Sequence, residues 1–264
     1  MIKHSKIWIV TDVDGTLMDH SYNLSPARKT IKLLDKLNIP VILCTSKTAA
    51  EVEIIRKDLN LRDPYIVENG AAIYGEHING DKWEIILGEK YQSLEMILKD
   101  LSQEVNFCLR PLNTLSDKEA TELTGLSGDS LILMRDRHWS MPFLNPPIPI
   151  EKKLKSLCQK YKVNIFKGNR MSHLLSVNSD KGKAIKKLIK FTENYGVKII
   201  GLGDSPNDLP LLKAADYKIV IPGIKGPNLT LLNELGTRNY ITAEEPNGYG
   251  WQKEVTKLIQ NLKI

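Results

Sequence analysis

Residues 11–19 read TDVDGTLMD, with Asp12 and Asp14 one residue apart directly after the apolar run IWIV. Like charges this close repel, and a strand end beside a core is a costly place to hold them. A divalent cation removes that repulsion, and an all-oxygen ligand set selects Mg²⁺ over Zn²⁺. Such an ion leaves one carboxylate oxygen free as a nucleophile while the second carboxyl moves a proton. The plain alternative is an acidic turn, because an isolated D-x-D-G is common.

Asp204 and Asp208, in GLGDSPNDLPLL, weigh against that alternative, since they too follow an apolar run, VKIIGLG. A helix capped by Asp204 or Ser205, with Pro206 in its first turn, accounts for one such cluster. Two clusters after two separate strands are hard to explain by caps alone. Two strands of one parallel sheet would deliver these carboxylates to a single edge, where ligands of such sheets bind. Thr45, in CTSKT, places a hydroxyl and a backbone N–H at a helix start, a site suited to a phosphate oxygen. Thr45 or Ser46 serves equally as a helix cap. Lys181, in SDKGKA, opens a later helix against its dipole. A phosphate or an aspartate beside it would offset that, although most lysines so placed are solvated.

An alternation of element types must position these groups. KIWIV (6–10) and PVILC (40–44) are short apolar runs, as strands buried on both faces of a parallel sheet would be. LSPARKTIKLLDKLNI lies between them, with Ile31, Leu34 and Leu37 at helical spacing, Ser25 as the expected N-cap and Pro26 as the first helical residue. TAAEVEIIRKDLNL is a second helix, and YIVENGAAIY (65–74) begins as a third strand that turns at Asn69-Gly70. This order predicts an α/β fold, a Rossmann-like parallel sheet with right-handed crossovers.

From about 83 to 175 the rhythm is lost. WEIILG, SLILMRDRHWSMPF and VNIFKGNRMSHLLSV read as strands, and SLEMILKDL and EKKLKSLCQKY read as helices. The expectation is an inserted α+β domain over 83–175, with the core formed by 1–82 and 176–264. A helix at 180–195, a strand at 197–203, the helix SPNDLPLLKAA, a strand at 217–221 and a final helix after GYGW complete the core.

The 264 residues suffice for one large domain or two small ones. A net charge of +6 suits an anionic ligand, yet no Lys/Arg block of the nucleic-acid type is present, so no nucleic-acid partner is expected. The aspartates interrupt the first apolar run, which therefore reads as neither a signal peptide nor a membrane span. Cys44, Cys108 and Cys158 are scattered without C-x-x-C spacing and fit a reducing compartment. A cytoplasmic protein acting on a small molecule is expected.

Taken in order, DVDGT, the Thr/Ser after the second strand, the lysine and GDSPND resemble the four motifs of the haloacid dehalogenase superfamily of phosphatases. The resemblance implies Asp12 as a nucleophile that forms an aspartyl-phosphate, with Asp14 as the acid/base. It implies Thr45 and Lys181 on the phosphoryl group, with Ser46 and Asn207 beside the substrate. Mg²⁺ would be held by Asp12, the backbone carbonyl of Asp14 and Asp204, with Asp208 in support.

The insertion is similar to the α+β (type IIB) cap of the sugar-phosphatase branch. TSKTAAEVE, ENGAAIY, LTGLS, RDRHWSMPF, KGNRMSHLLSV and NGYGW resemble the mannosyl-3-phosphoglycerate phosphatase family. That implies hydrolysis of mannosyl-3-phosphoglycerate to mannosylglycerate and phosphate, in a compatible-solute pathway. The glucosyl analogue, or a broader Cof-type sugar phosphatase, is the alternative. A glycerate carboxylate needs a cationic fork. Arg170 and His173, three apart, would converge on it if their stretch turns into a strand, and Arg137 and His138 are further candidates. One departure is the cap's Ser140-Met141-Pro142-Phe143, where the family often carries Ser-Glu-Pro-Phe; the lost acid is expected to alter which sugar is held.

Overall fold

The computed structural model describes residues 5–19, 21–168, 170–237 and 239–262. The chain begins with β1 (Ile7–Thr11), α1 (Ser25–Lys36), β2 (Val41–Leu43), α2 (Ala49–Leu59), β3 (Tyr65–Val67), β4 (Ala72–Glu76) and β5 (Lys82–Ile86). It continues with α3 (Tyr91–Glu104), α4 (Asp117–Thr124), α5 (Asp129–Arg135), β6 (Met141–Leu144), α6 (Ile148–Tyr161), β7 (Val163–Lys167) and β8 (Met171–Ser176). It closes with α7 (Lys181–Phe191), β9 (Lys198–Gly203), α8 (Leu209–Ala214), β10 (Tyr217–Val220), α9 (Leu229–Leu235), β11 (Ile241–Thr242) and α10 (Asn247–Asn261).

The main sheet has the order β11-β10-β9-β1-β2, and every neighbouring pair is parallel. Its strands β1 and β2 are buried along their whole length because both faces are covered, whereas the edge strand β11 is exposed. Side chains alternate between the faces. Ile7 and Ile9 join Leu43, Leu202, Leu34 and Trp251 in one cluster. Trp8 and Val10 join Ile42, Ile199, Ile185 and Leu211 in the other. Each such residue contributes about 1.5–3 kcal/mol by burial. Cys44 bridges in parallel to Ile66, which carries the sheet into the antiparallel set β3-β4-β5. The WEIILG strand is therefore paired with β4, and the chain leaves this sheet after Ile86.

The inserted layer is an antiparallel sheet, β6-β8-β7. Leu94, Leu98 and Leu101 of α3 and Leu154 of α6 pack with its Phe143 and Leu174. The expectation of one long strand over SLILMRDRHWSMPF is corrected: α5 occupies the first half and only β6 is extended. Short apolar runs do not distinguish the two periods. What selects the helix here is tertiary: Leu131 is buried with Leu112, Leu115 and Ala120, and Arg135 bonds Leu115 O at 2.8 Å. Ser25 does not cap α1 either. Leu24 holds the cap position, Ser25 is the first helical residue, and Asn23 Oδ1 takes the Ser25 N–H at 3.0 Å. GYGW does not precede the last helix but forms part of its first turns. No helix among the described residues is long and apolar enough to cross a membrane.

Candidate active site

Three adjacent strands end at the same edge. Asp12 follows β1, Asp204 follows β9, and Thr45 lies two residues beyond β2. The Asp12 N–H donates to Leu202 O of β9 at 2.9 Å, which fixes one acid-bearing loop to the other. α2 begins at a capping box: Thr48 Oγ1 accepts from Glu51 N–H at 3.2 Å, and Glu51 Oε2 accepts from Thr48 N–H at 2.9 Å. Neither Thr45 nor Ser46 is needed as a cap.

Lys181, the first residue of α7, is fully buried rather than solvated. Its Nζ donates to Asp12 Oδ1 at 2.6 Å and to Asp208 Oδ1 at 2.5 Å. Asp208 Oδ2 accepts the N–H groups of Asp204 and Ser205, each at 3.0 Å. This reach is possible because residue 203 is glycine: a Cβ there would lie 2.4 Å from Asp208 Cβ. Gly15, at φ +84°, makes similar room, since its Cβ would lie 2.7 Å from Asp204 Oδ2.

Carboxylate oxygens of Asp12, Asp204 and Asp208 lie within 4.8 Å of one another. Burial and the Asp208 charge push the Asp12 carboxyl up to about 7, against the pull of Lys181. Burial, Asp208 and Asp12 raise Asp204 well above its ordinary range. Burial works against the Lys181 charge, but Asp12 and Asp208 outweigh it and hold the ammonium above its usual range. Burial and mutual repulsion thus disfavour the charged forms of Asp12 and Asp204; a hard divalent cation would favour them, and the all-oxygen donor set fits one.

Asp14 is the more open of the two carboxyls that lie one residue apart. Its side chain is 37% exposed against 7% for Asp12, so it is the carboxyl that meets solvent. Lys47 Nζ lies 3.2 Å from both Asp14 Oδ2 and Glu51 Oε1, and 5.1 Å from the centre of the Tyr22 ring. Burial opposes the Lys47 charge, but Asp14 and Glu51 together hold it above its ordinary range.

A cavity of about 130 Å³ opens above these groups. Asp12, Asp14, Ser46, Lys47 and Asn207 line it from the core; Arg137, Arg170, His173 and Met134 line it from the insertion. Thr45, Lys181, Asp204 and Asp208 are not among the lining residues, and three of them bond to residues that are: Lys181 to Asp12, Asp208 to Ser205, and Thr45 Oγ1 to the Lys47 N–H at 3.2 Å; Asp204 Oδ1 accepts from Thr16 Oγ1 at 3.1 Å. Asn207 Nδ2 donates to Asn69 Oδ1 at 3.1 Å. Arg137 is buried and donates to Ser46 O at 2.9 Å and Ser140 Oγ at 3.2 Å. Arg170 donates to Thr124 O. Among the described residues, the buried Arg137 Nε and His173 Nδ1 have no hydrogen-bond partner.

Residues 9–116 and 146–222 match the family of haloacid dehalogenase-like hydrolases. The chain belongs to that family. It is 32% identical to the glucosyl-3-phosphoglycerate/mannosyl-3-phosphoglycerate phosphatase of Persephonella marina, over 97% of this chain and 98% of that one. It is 34% identical to a phosphatase of the same name from Methanococcoides burtonii, over 95% of this chain and 96% of that one. A Streptococcus mutans structure shares the fold at a TM-score of 0.74 and 17% identity, covering 97% of this chain and 100% of that one.

In this haloacid dehalogenase-like hydrolase the insertion contributes two arginines but not the full cationic set. Burial, with Arg137 and Lys181 nearby, pushes His173 down to about 3, so it is a neutral hydrogen-bonding group. His138 is exposed, pairs with Asp136 at 3.2 Å and does not line the cavity. Nor does Met141, whose side chain is buried among the apolar residues of the inserted domain. Lys47, Glu51 and Tyr22 are site groups that residue type and spacing do not single out; TSKTAAEVE contains the first two, but its T-x-x-E marks the start of α2 rather than a site.

Proposed function

We propose that this phosphoric monoester hydrolase removes the phosphate from a glycosyl-3-phosphoglycerate, with the mannosyl and glucosyl forms as its substrates, in the cytoplasm. The observation that carries the reading is the two-ended cavity. Asp12, Asp14 and Lys47 line its core side, and Arg137 and Arg170 with neutral His173 line the other. A molecule with a phosphate at one end and a glycerate carboxylate at the other matches that division, and arginine meets a carboxylate bidentately. The near full-length likeness to relatives named for these two substrates supports it further.

In this reading Lys181 holds Oδ1 of Asp12, and Oδ2 attacks phosphorus. The P–O bond to the glycerate oxygen breaks as Asp14 gives that oxygen its proton. Asp14 then takes a proton from water, whose oxygen attacks the aspartyl-phosphate; phosphate leaves and the Asp12 carboxylate is restored. Asp12 and Asp204, with the Asp14 carbonyl, would hold Mg²⁺, which supplies positive charge against the phosphoryl oxygens. Asp208, with both oxygens already taken by Lys181 and backbone N–H groups, orients the site instead. General acid–base transfer supplies about 10²–10⁴ of the acceleration. Charge placement and orientation by Lys181, Lys47 and backbone donors must supply most of the rest.

Side-by-side kcat/KM for mannosyl-3-phosphoglycerate, glucosyl-3-phosphoglycerate and a plain hexose phosphate tests the substrate. Both glycerates should exceed the hexose phosphate by about 100-fold, the worth of about 2.7 kcal/mol in carboxylate contacts. Equal values would remove the glycerate from the reading.

A further inference from the structure

The NGYGW stretch resembles its family yet takes no part in the chemistry above. It forms the start of α10, and its Trp251 is fully buried against the far side of β1. The indole N–H of Trp251 donates to Thr11 Oγ1 at 3.0 Å. Thr11 Oγ1 in turn donates to Asp12 O at 2.7 Å. A hydroxyl has one proton to give, so accepting from the indole leaves its O–H committed to the Asp12 carbonyl.

Both backbone polar groups of Asp12 are thereby fixed, its N–H on Leu202 O and its C=O on Thr11. Lys181 fixes one side-chain oxygen. The contact with α10 is close: a Cβ on Gly248 would lie 2.8 Å from Leu17 O, in the turn that carries Asp14 and Gly15. The indole bond is not forced by packing alone. Trp8 is equally buried on the other face of the same strand, and its indole N–H has no partner among the described residues.

We propose that Trp251 and Thr11 are positioning residues that hold the backbone of Asp12 so that its free oxygen is aimed at phosphorus. The proposal rests on Asp12 being the nucleophile. Its effect belongs in kcat, because a nucleophile displaced by a fraction of an ångström attacks poorly while the cavity still binds substrate.

The test compares kcat and KM of wild type, Trp251→Phe, Thr11→Val, Thr11→Ser and the Phe/Val double variant on p-nitrophenyl phosphate and on mannosyl-3-phosphoglycerate. Trp251→Phe and Thr11→Val should each lower kcat about tenfold with KM within about twofold. The double variant should be no worse than the poorer single, since both break one chain of bonds. Thr11→Ser should stay within about twofold of wild type. Unchanged kcat in Trp251→Phe, losses that multiply, or a Thr11→Ser defect equal to that of Thr11→Val would overturn the proposal. If Thr11→Val does not fold, Trp251→Phe and Thr11→Ser still decide it. Asp12→Asn serves as control: turnover by that variant refutes the nucleophile itself. Hydrolysis of p-nitrophenyl phosphate alone by the wild type refutes only the glycerate substrate.

Discussion

His173 is neutral because three things disfavour its cation: a buried ring, the Arg137 guanidinium and the Lys181 ammonium. Unfolded, the same histidine titrates near 6.5. Its folded value is depressed, so its full contribution to stability is present above pH 6.5 and is lost as pH falls toward 3. Between pH 7 and pH 5 this one residue should remove about 2 kcal/mol of stability. Urea unfolding at the two pH values should show wild type losing about that much more than His173→Asn; equal losses would mean the histidine already carries a proton when folded. The residue scale also shows what the sequence could and could not reveal. Asp12, Asp14, Asp204 and Asp208 were legible because an acid directly after an apolar run is costly without a purpose. The burial of Lys181 was not, since a lysine opening a helix is ordinarily solvated. Lys47 was invisible, because only the fold brings it to Asp14.

At the scale of elements, the parallel sheet was legible because strands buried on both faces leave continuous apolar runs, as in IWIV and VKIIGLG. The inserted domain was less so. α5 depends on contacts with residues 112–120, which no local pattern announces. The joint between core and insertion was likewise hidden. Glu68, in the turn after β3, is buried and accepts from the His138 N–H at 3.0 Å, from the Trp139 N–H at 3.2 Å and from Ser140 Oγ at 2.6 Å. Ser140 then accepts from Arg137, so this carboxylate also braces the arginine that lines the cavity. Glu68→Ala leaves these donors unmatched and should cost about 2–3 kcal/mol in urea unfolding. It should also raise KM for a glycosyl-3-phosphoglycerate about tenfold, while kcat/KM for p-nitrophenyl phosphate changes less than about threefold. Parallel losses on both esters would assign Glu68 to general stability alone.

For the whole molecule, the parallel sheet collects acids from distant parts of the chain at one edge, and two buried ammoniums temper their repulsion, Lys181 between Asp12 and Asp208 and Lys47 beside Asp14. Burial and crowding around one ammonium disfavour the charged forms of Asp12 and Asp204 in the folded state and not in the unfolded one, where the same acids are solvated and far apart. A cation that binds only the folded form must therefore raise stability by mass action, by about 2.7 kcal/mol at 100 times its dissociation constant. For a chain of this size that corresponds to a rise in Tm of about 5–10 °C. EDTA should abolish phosphate release and Mg²⁺ should restore it, and the Tm of the EDTA-treated protein should climb with added Mg²⁺. Asp204→Asn should keep the fold, lose activity and lose most of the Mg²⁺-dependent rise in Tm. The thermal readout separates a bound cofactor from a cation that merely accompanies the substrate: a wild-type Tm indifferent to Mg²⁺ would count against the acidic cluster as its site, whatever the activity shows.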